Sequence, residues 1–267
     1  ERMEAFEEAC DLAIQKGAEL ILLAGKLFAE EYVPAAVISQ VLDIIRGRKA
    51  VFVWKPDRMG KQYLKSRADI PPNFFLLNGD ETRSCLFREA NITAWYETEK
   101  GDGDANVLIF DPGRELTPEI LERTRGQFPG AVFLSAGETV FVREGKQFRG
   151  EETGKLENTG FDDPDSSGFI LFALEEGTIK FWEKIKTARY HFRTVSVKVE
   201  REDDHAAVYR KCAKATAEFT KHDFVRIILN GSVDAEAFVR TDTLQESLQA
   251  RFFYLEVFND CRLELDE

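Results

Sequence analysis

Lys26 is the residue whose type and position most suggest chemistry, because it follows a short apolar run at a sharp turn. Residues 20–24 are continuously apolar and have the length of a buried strand, and Gly25 and Lys26 come directly after them. A lysine in this place is typical of a phosphate-binding loop, whose pattern is GxxxxGK followed by Ser or Thr. Here seven residues separate Gly17 from Gly25, and Leu27 follows the lysine. The spacing therefore argues against a nucleotide-binding loop.

The histidines and cysteines do not have the spacing of metal ligands. The three histidines are His191, His205 and His222, and we expect them to be surface or structural residues. The four cysteines, Cys10, Cys85, Cys212 and Cys261, form no CxxC pair, which is typical of reduced thiols in a cytoplasmic protein. The acidic loop at residues 162–167 lacks the 12-residue spacing and final Glu of a calcium loop.

The net charge limits the partners that the chain can attract. With 48 acidic and 36 basic residues the formal charge is -12, which argues against avid, nonspecific binding of nucleic acid. A local basic patch remains compatible with that charge: Arg210, Lys211 and Lys214 fall on one predicted helix and could contact DNA phosphates, or form an ordinary solvated helix face. No apolar run approaches 18 residues, so we expect no membrane partner.

The elements that must position Lys26 alternate between helix and strand. Apolar spacing predicts a helix over residues 2–16, a strand over 20–24, a helix from Pro34 to Ile45 and a strand over 50–54. Further strands are predicted at 74–78, 84–89, 91–97, 105–111 and 131–137, a helix at 117–128, and a hairpin over 168–185. This alternation predicts an α/β fold.

A second domain is predicted near the C-terminal end of the sequence. Residues 150–168 form a polar, turn-rich loop, and a boundary is expected near residues 187–194. Beyond it the pattern reads strand, helix, strand, helix, strand. We therefore divide the chain into a domain at 1–190 and a small α+β domain at 191–267.

The ordered segments resemble the calcineurin-like metallophosphoesterases of the SbcD type, the nuclease subunits of a DNA repair complex. Residues 5–46, which contain AGKLF and Pro34, are similar to the family's segment around its GDLF motif. KAVFVWKPD (49–57) falls where the family has GNHD, VLIFD (107–111) where a strand ends in a ligand histidine, and AVFLSAGET (131–139) where a strand ends in GHIH. The resemblance implies a layered metallophosphoesterase-like β-sandwich flanked by helices, with a capping domain. The family's first strand, which carries its DxH motif, would precede residue 1.

The residues at the family's metal-ligand positions do not keep its chemistry. By this resemblance, Lys26 replaces the bridging aspartate and Lys55 and Pro56 replace the Asn and His of GNHD, whereas the later histidines become Asp111, Ala136 and Glu138. Asp57 alone keeps its family identity, and it is not normally a direct ligand. We therefore expect no catalytic residue and no bound metal, although the family uses two manganese ions.

Two interpretations of the lysines remain open. An ammonium group at the bridging position would repel divalent cations by several kcal/mol. In the first interpretation, Lys26 and Lys55 pair with Asp57, Asp111 and Glu138, so that cations of the protein replace the metals and the cleft stays balanced in charge. In the other interpretation these positions drifted once catalysis was dispensable, and Lys26 is simply solvated.

The resemblance implies a catalytically degenerate, non-enzymatic SbcD-type homologue with a binding or scaffolding role in DNA repair. DNA and a second copy are the expected partners; the apolar stripe Val33, Val37, Val41, Ile44 and Ile45 is available for a homodimer or for the protein's own sheet. Family members bind a coiled-coil ATPase through a segment beyond the cap, and its absence puts that partnership in doubt. The alternatives are an active manganese-dependent exonuclease with rearranged ligands, and a regulatory protein without DNA contact.

Overall fold

The chain folds into two compact units, residues 1–156 with 166–187 and residues 157–165 with 188–267. The structure is a computed structural model. It describes residues 2–28, 32–65, 67–77, 83–88, 90–95, 105–110, 115–136, 139–144, 147–162, 167–234 and 240–264. The sequence-based division was placed at residue 190, whereas in the structure the second unit also includes the segment 157–165.

That segment joins the second unit through a buried carboxylate and an aromatic contact. Glu157 accepts hydrogen bonds from the backbone N–H groups of Arg189 and Tyr190, at 3.0 and 3.1 Å. Phe161 packs edge-on against Phe192, with 5.2 Å between ring centroids. Neither interaction has a local sequence signature, because more than 30 residues separate the partners.

The first unit begins with a parallel three-stranded sheet, the first sheet, whose strand order is β1-β2-β3. Its elements are α1 (Arg2–Gln15), β1 (Leu20–Leu23), α2 (Ala35–Arg46), β2 (Val51–Trp54), α3 (Arg58–Leu64) and β3 (Phe74–Leu76). A helix follows each of the first two strands. Parallel neighbours need such crossovers, as the alternating sequence pattern predicts.

A six-stranded sheet, the second sheet, follows in the order β4-β5-β6-β7-β8-β9. Its elements are β4 (Ser84–Phe87), β5 (Ala90–Ala94), β6 (Val107–Ile109), α4 (Pro118–Gln127), β7 (Phe133–Ala136), β8 (Thr139–Glu144) and β9 (Gln147–Glu152). The pairs β5–β6 and β6–β7 are parallel, and the remaining pairs are antiparallel. The predicted hairpin is confirmed as β10 (Gly168–Glu175) and β11 (Thr178–Lys186), with positive φ at Glu176 and Gly177 in its turn.

Alternating side chains arrange the two sheets in layers. In β2, Phe52 and Trp54 pack with α1 and α2, whereas Val53 faces a cluster that also contains residues of β5, β6 and β7. In the second sheet, Ile109 belongs to that inter-sheet cluster, and Leu108 packs on the other side, in a cluster that includes residues of α4. The order is therefore helices, first sheet, second sheet, helix, and the strands β2, β6 and β7 are buried on both faces.

The apolar stripe on α2 and the residues before it faces the protein's own sheet. Val41 and Ile45 are 4% and 0% exposed, and all five residues of the stripe contribute to the cluster around Phe52 and Trp54. The stripe is thus part of the core and is not available for the dimer that the sequence suggested.

The second unit contains a three-stranded parallel sheet in the order β12-β13-β14. Its elements are β12 (His191–Val199), α5 (His205–Ala215), β13 (Asp223–Asp234), α6 (Thr241–Leu248), a short 3₁₀ helix (Gln249–Arg251) and β14 (Tyr254–Glu264). The predicted β-α-β-α-β order is confirmed, but the expected α+β class is wrong. Because helices connect parallel neighbours, this unit is of the α/β type. Among the described residues, no helix is both long enough and apolar enough to cross a membrane.

We predict that Cys10 and Cys212 react slowly with a thiol reagent in the folded protein. Both are buried, and burial raises the pKa of Cys10 to about 12 and that of Cys212 to about 11. Because the thiolate is the reactive form, we expect these two thiols to react on the order of 100-fold more slowly than the partly exposed Cys85 and Cys261. Time courses with a chromogenic disulfide at pH 8, with and without denaturant, measure this.

The variants Cys10→Ala and Cys212→Ala assign the slow phase. Each substitution should remove one slowly reacting thiol and leave the two rapidly reacting thiols, Cys85 and Cys261, unchanged. Four thiols with equal rates in the native protein would contradict the buried environments.

Candidate functional site

The lysines singled out by the sequence lie at the same edge of the first sheet. Lys26 follows β1 and Lys55 directly follows β2, and these two strands are parallel neighbours with Leu23 opposite Trp54. The carboxyl ends of parallel strands meet at one edge of a sheet, which is where α/β proteins commonly place their functional residues. The structure therefore brings the two lysine-bearing strand ends together.

Trp54 fixes the turn that carries Lys26. The indole Nε1 of Trp54 donates a hydrogen bond to the carbonyl oxygen of Gly25 at 3.1 Å. Phe28, on the other side of Lys26, packs edge-on against Trp54 and Tyr63, with centroid distances of 6.1 and 5.8 Å. The backbone on both sides of Lys26 is thus tied to the buried indole, while the lysine side chain itself is exposed.

Lys55 has the opposite environment, because it is 0% exposed. A lysine removed from water must interact with other groups of the protein, since an isolated buried ammonium costs many kcal/mol. Lys55 does have such an interaction. Pro56, next to it, is also buried. Lys55 and Pro56 therefore both belong to the packed interior.

Asp57 serves the helix that follows. Its Oδ1 accepts a hydrogen bond from the backbone N–H of Gly60 at 2.8 Å, which makes Asp57 the N-cap of α3. Among the described residues, no ion pair joins Lys26 to Asp57. Asp111 and Glu138, the other carboxylates of the predicted charge-balanced cleft, lie outside the described residues, so their pairing with the lysines stays a prediction.

The corresponding edge of the second sheet is apolar where the structure describes it. Ala136 ends β7 and is buried in the cluster that also contains Leu134 and Phe110. Neighbouring Ser135 is 1% exposed, and its Oγ has no hydrogen-bond partner in the described part of the chain. The sequence interpretation missed this residue; its only signal is a small polar side chain within the apolar run of residues 131–136.

The basic residues proposed for DNA contact lie on α5 but are not equivalent. Lys211 forms ion pairs with Asp203 at 2.5 Å and with Glu200 at 3.2 Å. The hydrogen bond to Asp203 raises the pKa of Lys211 and keeps it charged. Arg210 and Lys214 are exposed. Acidic neighbours therefore neutralise one of the three candidate phosphate contacts.

The three histidines all lie in the second unit. His191 begins β12, His205 begins α5, and His222 lies just before β13. In the described ranges, no three residues of the types His, Cys, Asp and Glu converge in a way that could hold a metal ion.

Comparison with models of known protein families finds no match, and comparison with curated proteins also finds none.

We predict that Gly60→Ala destabilises the first unit because a methyl group there would collide with Trp54. A Cβ at position 60 would lie 2.5 Å from Cη2 of the fully buried Trp54 ring. Trp54 is stacked on Phe74 and hydrogen-bonded to the carbonyl oxygen of Gly25, so its ring cannot move aside without losing these contacts. We therefore expect the free energy of unfolding to fall by about 1–3 kcal/mol. Urea unfolding followed by tryptophan fluorescence measures this.

Gly126→Ala in α4 is the matched control. Apart from the neighbouring residues and the backbone of its own helix, no atom of the protein lies within 4 Å of a Cβ at that position. The helix preference of alanine should therefore leave the protein unchanged or stabilise it by up to about 1 kcal/mol. Equal effects of the two substitutions would refute the packing of Trp54 on Gly60.

Proposed function

We propose that this chain is a catalytically degenerate homologue of SbcD-type metallophosphoesterases that acts in DNA repair as a binding or scaffolding protein. The order of layers in the first unit supports the proposal, since two packed sheets between helices is the arrangement that the resemblance implies. The observation that carries the non-catalytic part of the proposal is the complete burial of Lys55 directly after β2, where the resemblance would place a metal ligand.

The residues at this sheet edge do not fit two divalent cations. A two-metal phosphoesterase needs oxygen and imidazole ligands around ions that lie about 4 Å apart. Lys26 and Lys55 stand at this edge in place of carboxylate or imidazole ligands, and neither Pro56 nor Ala136, which lies at the corresponding edge of the second sheet, offers a side-chain ligand atom. At an effective dielectric constant of about 20, each pair of like unit charges 4 Å apart costs about 4 kcal/mol. An ammonium group at the position of Lys26 therefore disfavours a divalent ion beside it.

A binding role is compatible with the surface of the second unit. Arg210 and Lys214 are exposed on the same helix and could contact two DNA phosphates. With so few contacts and a net charge of -12, DNA affinity would be modest, and two phosphate contacts would make it fall only about tenfold between 50 and 200 mM salt.

A regulatory protein without DNA contact is the second candidate, and the ion pairs of Lys211 with Asp203 and Glu200 favour it. Salt-dependent DNA binding distinguishes the two candidates. If Arg210 and Lys214 contact phosphates, replacing them weakens DNA binding and flattens its salt dependence.

We predict that the protein neither binds manganese stoichiometrically nor cleaves DNA. Isothermal titration with Mn²⁺ should show no site of micromolar affinity, because Lys26, Lys55 and Pro56 follow the strands where carboxylate or imidazole ligands would be needed. Incubation with single- and double-stranded DNA and Mn²⁺ should give no cleavage that a chelator abolishes. Bound manganese at one or two equivalents together with chelator-sensitive cleavage would overturn the proposal.

Lys26→Asp and Lys16→Asp make the same change of charge at different places. Only the first places a carboxylate at the position of the family's bridging ligand. Any residual Mn²⁺ affinity should therefore rise about tenfold or more in Lys26→Asp and remain unchanged in Lys16→Asp, which alters an exposed residue after α1.

A further inference from the structure

The strand β14 presents a long edge with no strand paired to its outer side among the described elements. β14 spans 11 residues, Tyr254–Glu264, and pairs in parallel with β13 along its whole length. Proteins commonly protect such edges with charged residues, above all lysine, with proline or with a bulge. The sequence of β14, YLEVFNDCRLE, contains neither lysine nor proline, its register with β13 has no irregularity, and its charged residues are of both signs. This edge is therefore suited to pairing with another strand.

The side chains along this edge are more apolar than an exposed strand requires. On the face away from the helices, Tyr254 and Phe258 are 42% and 50% exposed. On the helix-facing side, Val257 and Cys261 are only partly buried and pack at the rim of the core of the second unit. A strand added at the edge would cover these positions on both faces.

The charges on β14 are complementary to those of a second β14 in one antiparallel register. A twofold axis through Asn259 places Glu256 of each copy opposite Arg262 of the other. Arg262 is exposed, and within the described part of the chain it forms no ion pair, whereas Glu256 already pairs with Arg226 of its own subunit through one carboxylate oxygen, Oε1. Opposite charges that face each other across strands are stabilising, whereas like charges in these positions are destabilising.

The neighbouring registers are disfavoured by the same rule. An axis through Phe258 places Glu256 opposite Asp260, and an axis through Asp260 places the two Asp260 residues opposite each other. The register centred on Asn259 avoids both repulsions. It also places Val257 opposite Cys261, so the two half-buried apolar residues of the helix-facing side cover each other.

We propose that β14 pairs antiparallel with β14 of a second copy of this chain, with the twofold axis at Asn259. The pairing joins two three-stranded sheets into one continuous six-stranded sheet. Two Glu256–Arg262 pairs and two Val257–Cys261 contacts then flank the axis. This surface differs from the stripe on α2, which is buried in the core, and it does not depend on the proposed function.

Charge reversal tests the register. The wild-type protein should show a concentration-dependent dimer by sedimentation. Arg262→Glu and Glu256→Arg should each weaken self-association about tenfold or more, because each change makes both pairs repulsive. An equimolar mixture of the two variants should form heterodimers, since both pairs are then attractive. A wild-type protein that remains monomeric at 100 μM or above, or an unchanged dimer in Arg262→Glu, would overturn the proposal.

A cysteine crosslink tests the axis without altering Glu256, which also pairs with Arg226 within its own subunit. Residues opposite each other on the axis have Cα atoms about 4.5–5.5 Å apart, within the range of a disulfide. In a Cys261→Ser background, Asn259→Cys should form an intermolecular disulfide under mild oxidation. Thr194→Cys, an exposed position on β12 at the other edge, should not. Equal crosslinking of the two, or none at residue 259, would contradict the pairing.

Discussion

The burial of β2 on both faces determines the arrangement of the first unit. Phe52 and Trp54 pack against α1 and α2, whereas Val53 contacts the second sheet, and all three side chains are 0% exposed. Burying each of them contributes about 1.5–3 kcal/mol. Because this strand is held from both sides, the residues that follow it are held as well. Lys55 therefore lies in the interior. Trp54 fixes the turn before Lys26 by its hydrogen bond to the carbonyl oxygen of Gly25.

This arrangement affects which chemistry the sheet edge can perform. Strand ends in α/β folds are favourable places for ligands because backbone groups and side chains from several strands converge there. Here that convergence brings together a buried lysine, an exposed lysine and a carboxylate already used to cap α3. Such a set stabilises the protein, but it is a poor environment for a divalent cation, and for that reason we propose a non-catalytic role.

Elements with a clear apolar period could be predicted from the sequence, and elements that depend on distant partners could not. β2 and α4 lie within a residue or two of their predicted limits, since the first is an unbroken apolar run and the second begins with Thr117 and Pro118. β9 was missed because four of its six residues are exposed, and α3 was missed because it has only seven residues and contains Gly60.

The sequence predicts where the candidate site lies, but it does not predict which of its side chains are buried. Strand ends can be identified from the sequence, so Lys26 and Lys55 could be placed at one edge. Nothing local distinguishes the exposed lysine from the buried one, because that difference depends on packing with segments far along the chain. The same holds for the role of Glu157, whose backbone partners lie more than 30 residues away.

The stability of Lys55→Ala relative to Lys26→Ala is the most direct test of the account, because it asks whether Lys55 is a structural residue of the interior. Removing a fully buried side chain that interacts with its surroundings should lower the free energy of unfolding by about 2–4 kcal/mol. Lys26→Ala, at an exposed position, should change it by less than about 0.5 kcal/mol. Urea unfolding of both variants gives the values. Equal and negligible effects would contradict the central claim that the strand end has become part of the core.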